Sequence, residues 1–518
     1  MRSSQLLLTD IGVAAFFLLV LVLSMMILVL SWKCFVVVLW TPFQVTRFFR
    51  KQGVNGPSNR LVLGSLGEIR SMKMASKAIL MDVNSHDASQ RILPHLLKWF
   101  SQYGDVFLFW FGTKPTICIK DVNIVKNILS NKFDDYIKDT PKPHLLSMLG
   151  KGLLFAEGDH WARHRKVVRQ AFTMEKLKLM TREMGKCTES MVGMWKSKVL
   201  SMESEIEMSK EFQELTANII SCTAFGSNYA QGKQIFEAQK ELHMLASANS
   251  LSLDIPGYNY LPLKSNFKKW ALERTVHKTL SIIIQDRLNQ PPSNNDLLSM
   301  MIDGFQTGSD PDDINEIVAE CKTFFFAGHE TTSLLLTWTM FVLGSRQDWQ
   351  EILREEVLKE CENHDISDVV IVRKLQKMNM VLLEVLRLYG PVSVLNRKAS
   401  RDTKLGDVTI PKDTVVLLPL MLIHRDREIW GADADEFNPL RFENGIPKAA
   451  KHPNAFMSFS VGPRVCVGQN FAMVEAKIVM AIILERFSFS LSPDYKHAPI
   501  DDLTLKPQYG VPILLKPL

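Results

Sequence analysis

Ten residues near the C-terminus, Phe459-Ser-Val-Gly462-Pro-Arg464-Val-Cys466-Val-Gly468, constrain this chain more than any other stretch. A cysteine ligates iron as its thiolate, and the metal holds it deprotonated although the free side chain has a pKa of about 8.5. Gly462 and Gly468 are expected to let the backbone fold tightly around the Cys466 sulfur, with amide N–H groups pointing at it to tune the potential of a bound iron. Arg464 suits a haem propionate. A buried structural cysteine beside a Gly-Pro turn accounts for the same residues equally well. By itself the stretch leaves both readings open.

Bulk properties exclude some classes. At 518 residues the chain exceeds the usual size of one hydrophobic core, so two domains or one large one are expected. Its 61 basic and 55 acidic residues leave a formal charge of +6, a mild excess that does not point to nucleic acid. Seven scattered cysteines, odd in number and without a C-x-x-C pair, argue against a disulfide framework and for a reducing compartment.

Ile11 to Trp32 carries no charge and is rich in Leu, Val, Phe, Met and Ile. As a helix it reaches roughly 33 Å, enough to cross a hydrocarbon core of about 30 Å. The run is long for a signal-peptide core and no small-residue cleavage site follows, so residues 1–32 are expected to stay as an anchor. Lys33, Arg47, Arg50, Lys51 and Arg60 follow the span, against Arg2 and Asp10 before it, which puts the body in the cytosol. Residues 33–60 then form a basic linker ending in the Gly/Pro hinge Gln52 to Pro57, and 61–518 the body. Phe48 and Phe49 suit either the membrane surface or packing on the body. Arg60 to Gly67, Val106 to Trp110 and Thr116 to Lys120 read as short strands. Beyond Asp121 the pattern is mostly helical, so the fold class is mainly α with a smaller β part.

Three further segments hold polar groups in need of partners. Trp161 and Arg165 lie four residues apart, on one face of a helix. Two propionates taken out of water must be paired and hydrogen bonded, and an indole N–H and a guanidinium are suitable donors. A solvated basic helix anchored by Trp161 is the competing account. Glu320 to Leu336 has the apolar density of a helix buried through the middle of the molecule. Within it Ala327-Gly328 removes bulk and lets a flat ligand approach the backbone. Thr331 offers a hydroxyl to the helix or to a water, and Glu330 a carboxylate able to relay protons. In isolation, a packing notch at Gly328 and a surface acid at Glu330 is the simpler account. His329 lacks a second histidine at the H-E-x-x-H spacing and is no zinc motif. Glu384 and Arg387 share a helix face among Leu and Val, which implies a buried pair needing further partners.

Taken together these segments resemble the cytochrome P-450 superfamily. F-x-x-G-x-R-x-C-x-G is its haem-binding signature with every fixed position filled, and W-x-x-x-R, A-G-x-E-T-T, E-x-x-R and Phe437-Asn-Pro439-Leu-Arg441 follow the family's order. The resemblance runs from the hinge to the C-terminus and departs from the family at Gly390-Pro391, where Pro-Pro is common, and in a hinge poorer in proline. It implies a cytochrome P-450 fold with an N-terminal transmembrane helix, a haem b with Cys466 as axial ligand, and Phe459 within the cofactor loop. It further implies propionate contacts from Trp161, Arg165, Arg397 and Arg464, oxygen activation by Ala327, Gly328, Glu330 and Thr331, and a structural network of Glu384, Arg387 and Arg441. Lys166 and Arg169 would face an acidic NADPH-cytochrome P-450 reductase, and Val392, Ser393 and Val394 would line the substrate cavity. His424-Arg425-Asp426 reads as a polar turn. The chain looks like a plant member of the clan holding cytokinin hydroxylases, secologanin synthase and brassinosteroid-inactivating enzymes. The expectation is an endoplasmic-reticulum monooxygenase acting on a lipophilic small molecule, a fatty acid, a terpenoid or steroid, or a hormone such as a cytokinin. A haem-thiolate isomerase or lyase working on a peroxide without a reductase is the alternative, disfavoured by Glu330-Thr331. A non-catalytic haem carrier would leave that pair unexplained.

Overall fold

The computed structural model describes residues 2–226, 229–253, 257–289, 296–305, 311–362 and 364–518. Helix dominates, and strands gather in a five-stranded sheet near the N-terminal side, a three-stranded sheet near the C-terminus and two small hairpins.

The apolar N-terminal segment is a helix over Arg2–Phe35, continued by a π-turn at Val36–Trp40 and a helix at Thr41–Arg50. Pro42 has no N–H and crowds the preceding turn, a usual cause of such a widening. The Thr41 N–H accordingly reaches back to the Val36 carbonyl. The basic segment after Trp32 is therefore helical as far as Arg50, and the chain turns only at the hinge. Phe16 to Arg50 is long and apolar enough to cross a membrane, with a mean hydropathy of 2.4 and none of its most apolar window buried. Phe49 decides between the two fates open to the phenylalanine pair: it is fully buried in a core formed with Trp110, Ile117 and Val416, while Phe48 stays exposed.

The five-stranded sheet runs in the order Val106–Phe111, Lys114–Ile119, Val415–Leu418, Leu395–Ala399, Tyr136–Ile137. Only the second and third of these are parallel. The register pairs Ile137 with Lys398, which carries Lys138 alongside Arg397. Arg60 to Gly67 is not a strand. Positive φ at Val62 (62°) and Gly64 (58°) reverses the chain so that the Gly64 N–H bonds the Arg60 carbonyl at 2.7 Å, and a helix starts at Leu66.

A larger core surrounds the central helix Pro311–Ser345. That helix packs on Met208–Phe225, on Gln376–Tyr389 and on Gln469–Arg486. Two of its buried hydroxyls are satisfied within the helix, Thr337 by the Ser333 carbonyl and Thr339 by the Leu335 carbonyl, each at 2.7 Å. The indole N–H of Trp338 fastens it to the Leu505 carbonyl at 3.0 Å, in the C-terminal hairpin.

Candidate active site

Cys466 precedes helix Gln469–Arg486 by three residues, so its sulfur faces the positive end of a helix. The Gly468 and Gln469 amides hydrogen-bond to it. Burial pushes the thiol up; those two amides and the nearby Arg165 guanidinium pull it down. Protein crowds most of the sulfur, yet the residue is open on one side. The loop is anchored by the Cys466 N–H, which donates to the Phe459 carbonyl at 2.9 Å. Gly462 is required by its φ of 78° and because a Cβ there would lie 2.3 Å from the Leu129 carbonyl oxygen. Gly468 differs from expectation: its backbone is ordinary and no protein atom lies within 4 Å of a Cβ built on it. The turn does not need a glycine there.

Beside the loop lies an excess of cations. Arg464 stacks on the Trp161 ring, 4.7 Å from its centroid, and donates to the Ala156 carbonyl and to Glu157 at 2.8 and 2.7 Å. Burial, then Arg464, holds Arg397 down at about 10. Lys138 is pulled to about 7 by burial and by Arg397 and Arg464, with Glu157 opposing. Arg165 is lowered by burial and by Arg169 and Arg464, with Cys466 opposing. Four cations therefore face one half-buried acid, Glu157, and the exposed Asp134. Clustered buried charge of one sign calls for counter-ions, and two propionates beside a thiolate ligand meet that demand, so the residues fit a haem. Lys138 was not foreseen, because it reaches the cluster only through strand register and belongs to no motif.

Helix Gly158–Ala171 presents Trp161 and Arg165 inward, half-buried, while Lys166 and Arg169 are exposed on its outer side. Asp159 in its first turn and Arg169 in its last complement the helix dipole.

On the central helix Ala327, Gly328 and Thr331 are half-buried within an otherwise buried stretch from Phe324 to Ser333, and Ala327 and Thr331 lie one turn apart. The Thr331 hydroxyl donates to the Ala327 carbonyl at 2.7 Å. Gly328 corrects the expectation of a ligand-facing gap: its missing side chain admits Ile220 of helix Met208–Phe225, whose Cδ1 lies 2.9 Å from a built Cβ. It is the packing notch. Nor is Glu330 a surface acid. It is buried, accepts from the Thr504 hydroxyl at 3.0 Å and has His243 Nδ1 at 4.0 Å. His243 in turn bonds the Asp502 carbonyl at 3.0 Å. His329 is buried among Phe236, Phe325 and Phe326.

The structural network forms as a buried unit. Arg387 makes a two-pronged pair with Glu384, at 2.7 Å on each oxygen, and donates to the His424 and Ala434 carbonyls. Arg441 Nε stands 3.5 Å from Glu384 and its Nη2 2.6 Å from Asp433. His424-Arg425-Asp426 is a polar turn, although His424 and Arg425 are buried. Ser393 is packed away, whereas Val392 is exposed and Val394 half-buried.

The cytochrome P-450 family profile matches residues 79–514. The chain belongs to the cytochrome P-450 family. Cytochrome P-450 709B1 of Arabidopsis thaliana is 47% identical over 512 residues, covering 97% of this chain and 99% of that one. The cytokinin hydroxylase of the same plant is 38% identical over 487 residues, covering 92% and 94%. A retinoic-acid-bound cyanobacterial CYP120A1 shares the fold at a TM-score of 0.73 and 22% identity, over 90% of this chain and 99% of that one. This cytochrome P-450 is accordingly a monooxygenase of the plant type, and its family carries a haem with a cysteine thiolate on the iron.

Proposed function

We propose that this cytochrome P-450 is a membrane-anchored enzyme that inserts one oxygen atom of O2 into a C–H bond of a lipophilic small molecule, with electrons from NADPH through a separate reductase. The observation that carries the reading is the Cys466 sulfur, set at a helix N-terminus under two amide N–H groups and beside the Arg165 guanidinium, in a loop whose Arg464 clusters with Arg397 and Lys138. When bound, haem b supplies the iron centre for oxygen chemistry. Cys466 ligates it, the Gly468 and Gln469 amides stabilise the thiolate, and Phe459 anchors the loop. Trp161, Arg165, Arg397, Arg464 and Lys138 hold the propionates. Ala327 and Thr331 border the reacting space. Thr331 releases its helix bond to hold a water there, and Glu330, fed through Thr504 and His243, supplies protons.

The exposed apolar helix and its basic flank support a single-pass anchor in the endoplasmic reticulum with the body in the cytosol. An anchored body draws substrate from lipid, which favours a fatty acid, a terpenoid or steroid, or a hormone such as the cytokinin in the name of the Arabidopsis cytokinin hydroxylase. Lys166 and Arg169, exposed beside the haem helix, steer an acidic reductase.

The test is a reduced carbon monoxide difference spectrum on the membrane fraction, followed by turnover with and without NADPH and reductase. The natural chain is expected to show the thiolate-type Soret maximum and Cys466→Ala to lose it. A thiolate maximum in the variant removes Cys466 as ligand, and turnover without NADPH hands the chain to the isomerase or lyase reading.

A further inference from the structure

On the face of helix Gly158–Ala171 adjoining that of Trp161 and Arg165, two histidines and two carboxylates meet in an arrangement that the oxygen chemistry leaves unused. His160 and His164 lie one turn apart with ring centroids 4.0 Å from each other. His160 Nε2 is 3.0 Å from one oxygen of Glu316, on the central helix, and His164 Nε2 is 3.7 Å from the other. One ligand atom from each of these three residues lies within 4.8 Å of the other two. Behind them Glu320 is fully buried. One of its oxygens bonds His164 Nδ1, and the other has no hydrogen-bond partner among the described residues.

We propose that His160, His164 and Glu316 form a binding site for a single Zn2+ or a similar borderline divalent ion, with Glu320 as the positioning residue behind His164. Two imidazoles at i and i+4 plus a carboxylate from a facing helix are a donor set for zinc and its neighbours, whereas magnesium and calcium prefer oxygen alone. The buried carboxylate on His164 Nδ1 is the partner that fixes a ligating ring's tautomer and raises its basicity. A buried Glu320 whose one proton donor among the described residues is an imidazole also needs a positive charge beyond that ring. The site adjoins a cavity of about 940 Å³ bordered by His160, His164, His277, Glu316 and Lys322, which leaves the fourth coordination position open to water.

Arg163 now occupies the ion's place. Its Nη2 donates to both Glu316 oxygens at 2.7 and 2.6 Å and lies 3.5 Å from His164 Nε2. The side chain is 47% exposed and free to swing into solvent when a doubly charged ion displaces it. Arg163 is thus a built-in competitor, and the bound ion ties the helix that carries the haem donors to the central helix.

The experiment is equilibrium dialysis of Zn2+ against the full-length, haem-loaded protein in detergent, with zinc counted per haem, and zinc-edge X-ray absorption on the loaded sample. The expected result is one zinc per haem with two nitrogens and one or two oxygens at about 2.0–2.1 Å. His160→Ala and Glu316→Gln should each weaken binding about tenfold or more, and Glu320→Gln should act in the same direction. Arg163→Ala should tighten it several-fold, a gain that a damaged fold cannot imitate. Absence of stoichiometric zinc, sulfur in its coordination shell, or affinity unchanged by both His160→Ala and Glu316→Gln overturns the proposal.

Discussion

Thr331 is a residue whose two tasks compete. Its hydroxyl closes a 2.7 Å bond to the Ala327 carbonyl, and under the proposed function the same oxygen must be free to hold a water beside the reacting atoms. Alanine has the better helix propensity by a few tenths of a kcal/mol, so Thr331→Ala should leave the melting temperature within a few degrees and haem content unchanged. Product formed per NADPH should fall about tenfold or more, with the balance appearing as peroxide or water, and Thr331→Ser should restore it. An alanine variant with natural coupling removes Thr331 from the mechanism. The same scale shows what a linear pattern carries. Cys466, Arg464 and the Trp161–Arg165 pair, which the structure brings together, are legible because they sit in motifs of short fixed spacing. Lys138 is not, since it meets Arg397 across strands some 260 residues apart in sequence, joined by the pairing of Ile137 with Lys398.

At the scale of elements, periodicity reveals a helix more readily than what its faces meet. The central helix is legible from its apolar density, but the sequence leaves Gly328 open between a gap facing a ligand and a packing notch, and in the structure Ile220 of helix Met208–Phe225 sits against it. Both readings require a missing side chain, and only the packing of the second helix separates them. Gly328→Val should therefore act as a wedge, lowering stability by about 1–3 kcal/mol through overpacking while the carbon monoxide spectrum keeps its thiolate maximum. A variant of natural stability with a shifted spectrum would return Gly328 to the ligand side. Arg60 to Gly67 failed for a related reason. Its apolar run resembles a strand, and Gly64 is the turn that folds it back, with a built Cβ only 2.4 Å from the Trp110 carbonyl oxygen. Residues 33–60, expected as a linker, are helical as far as Arg50, with a π-turn at Val36–Trp40 absorbing Pro42.

Across the whole molecule the buried histidines set a pH limit. Burial first, with neighbouring cations, holds His86, His95 and His424 down at about 3, and His329 and His497 at about 4. His424 shows why: its Nε2 accepts the Met457 N–H at 3.0 Å, which a protonated ring cannot do. The unfolded chain takes up these protons near pH 6.5 and the folded one does not, so their stability is fully present above pH 6.5 and is lost as pH falls toward 3. Glu475 works the other way. Burial raises it well above the ordinary carboxyl range, neither oxygen has a partner among the described residues, and the folded state keeps its proton as pH rises past the unfolded value near 4.5. Five histidines against one carboxyl leave a net uptake of four protons on unfolding between about pH 6.5 and 4.5, at about 1.4 kcal/mol per proton per pH unit. Even half of that, about 2.8 kcal/mol per pH unit, removes about 5–6 kcal/mol between pH 6.5 and 4.5, the whole stability of a domain at the lower end of the usual range of about 5–15 kcal/mol. The melting temperature at fixed scan rate should therefore drop steeply from pH 6.5 to 5 and change little from 7 to 8. In His424→Asn the amide oxygen can still accept from Met457 but cannot titrate, and the acid slope should become shallower. A flat profile down to pH 5, or an unchanged slope in that variant, would show that these imidazoles are protonated in the folded protein and that burial does not govern its acid limit.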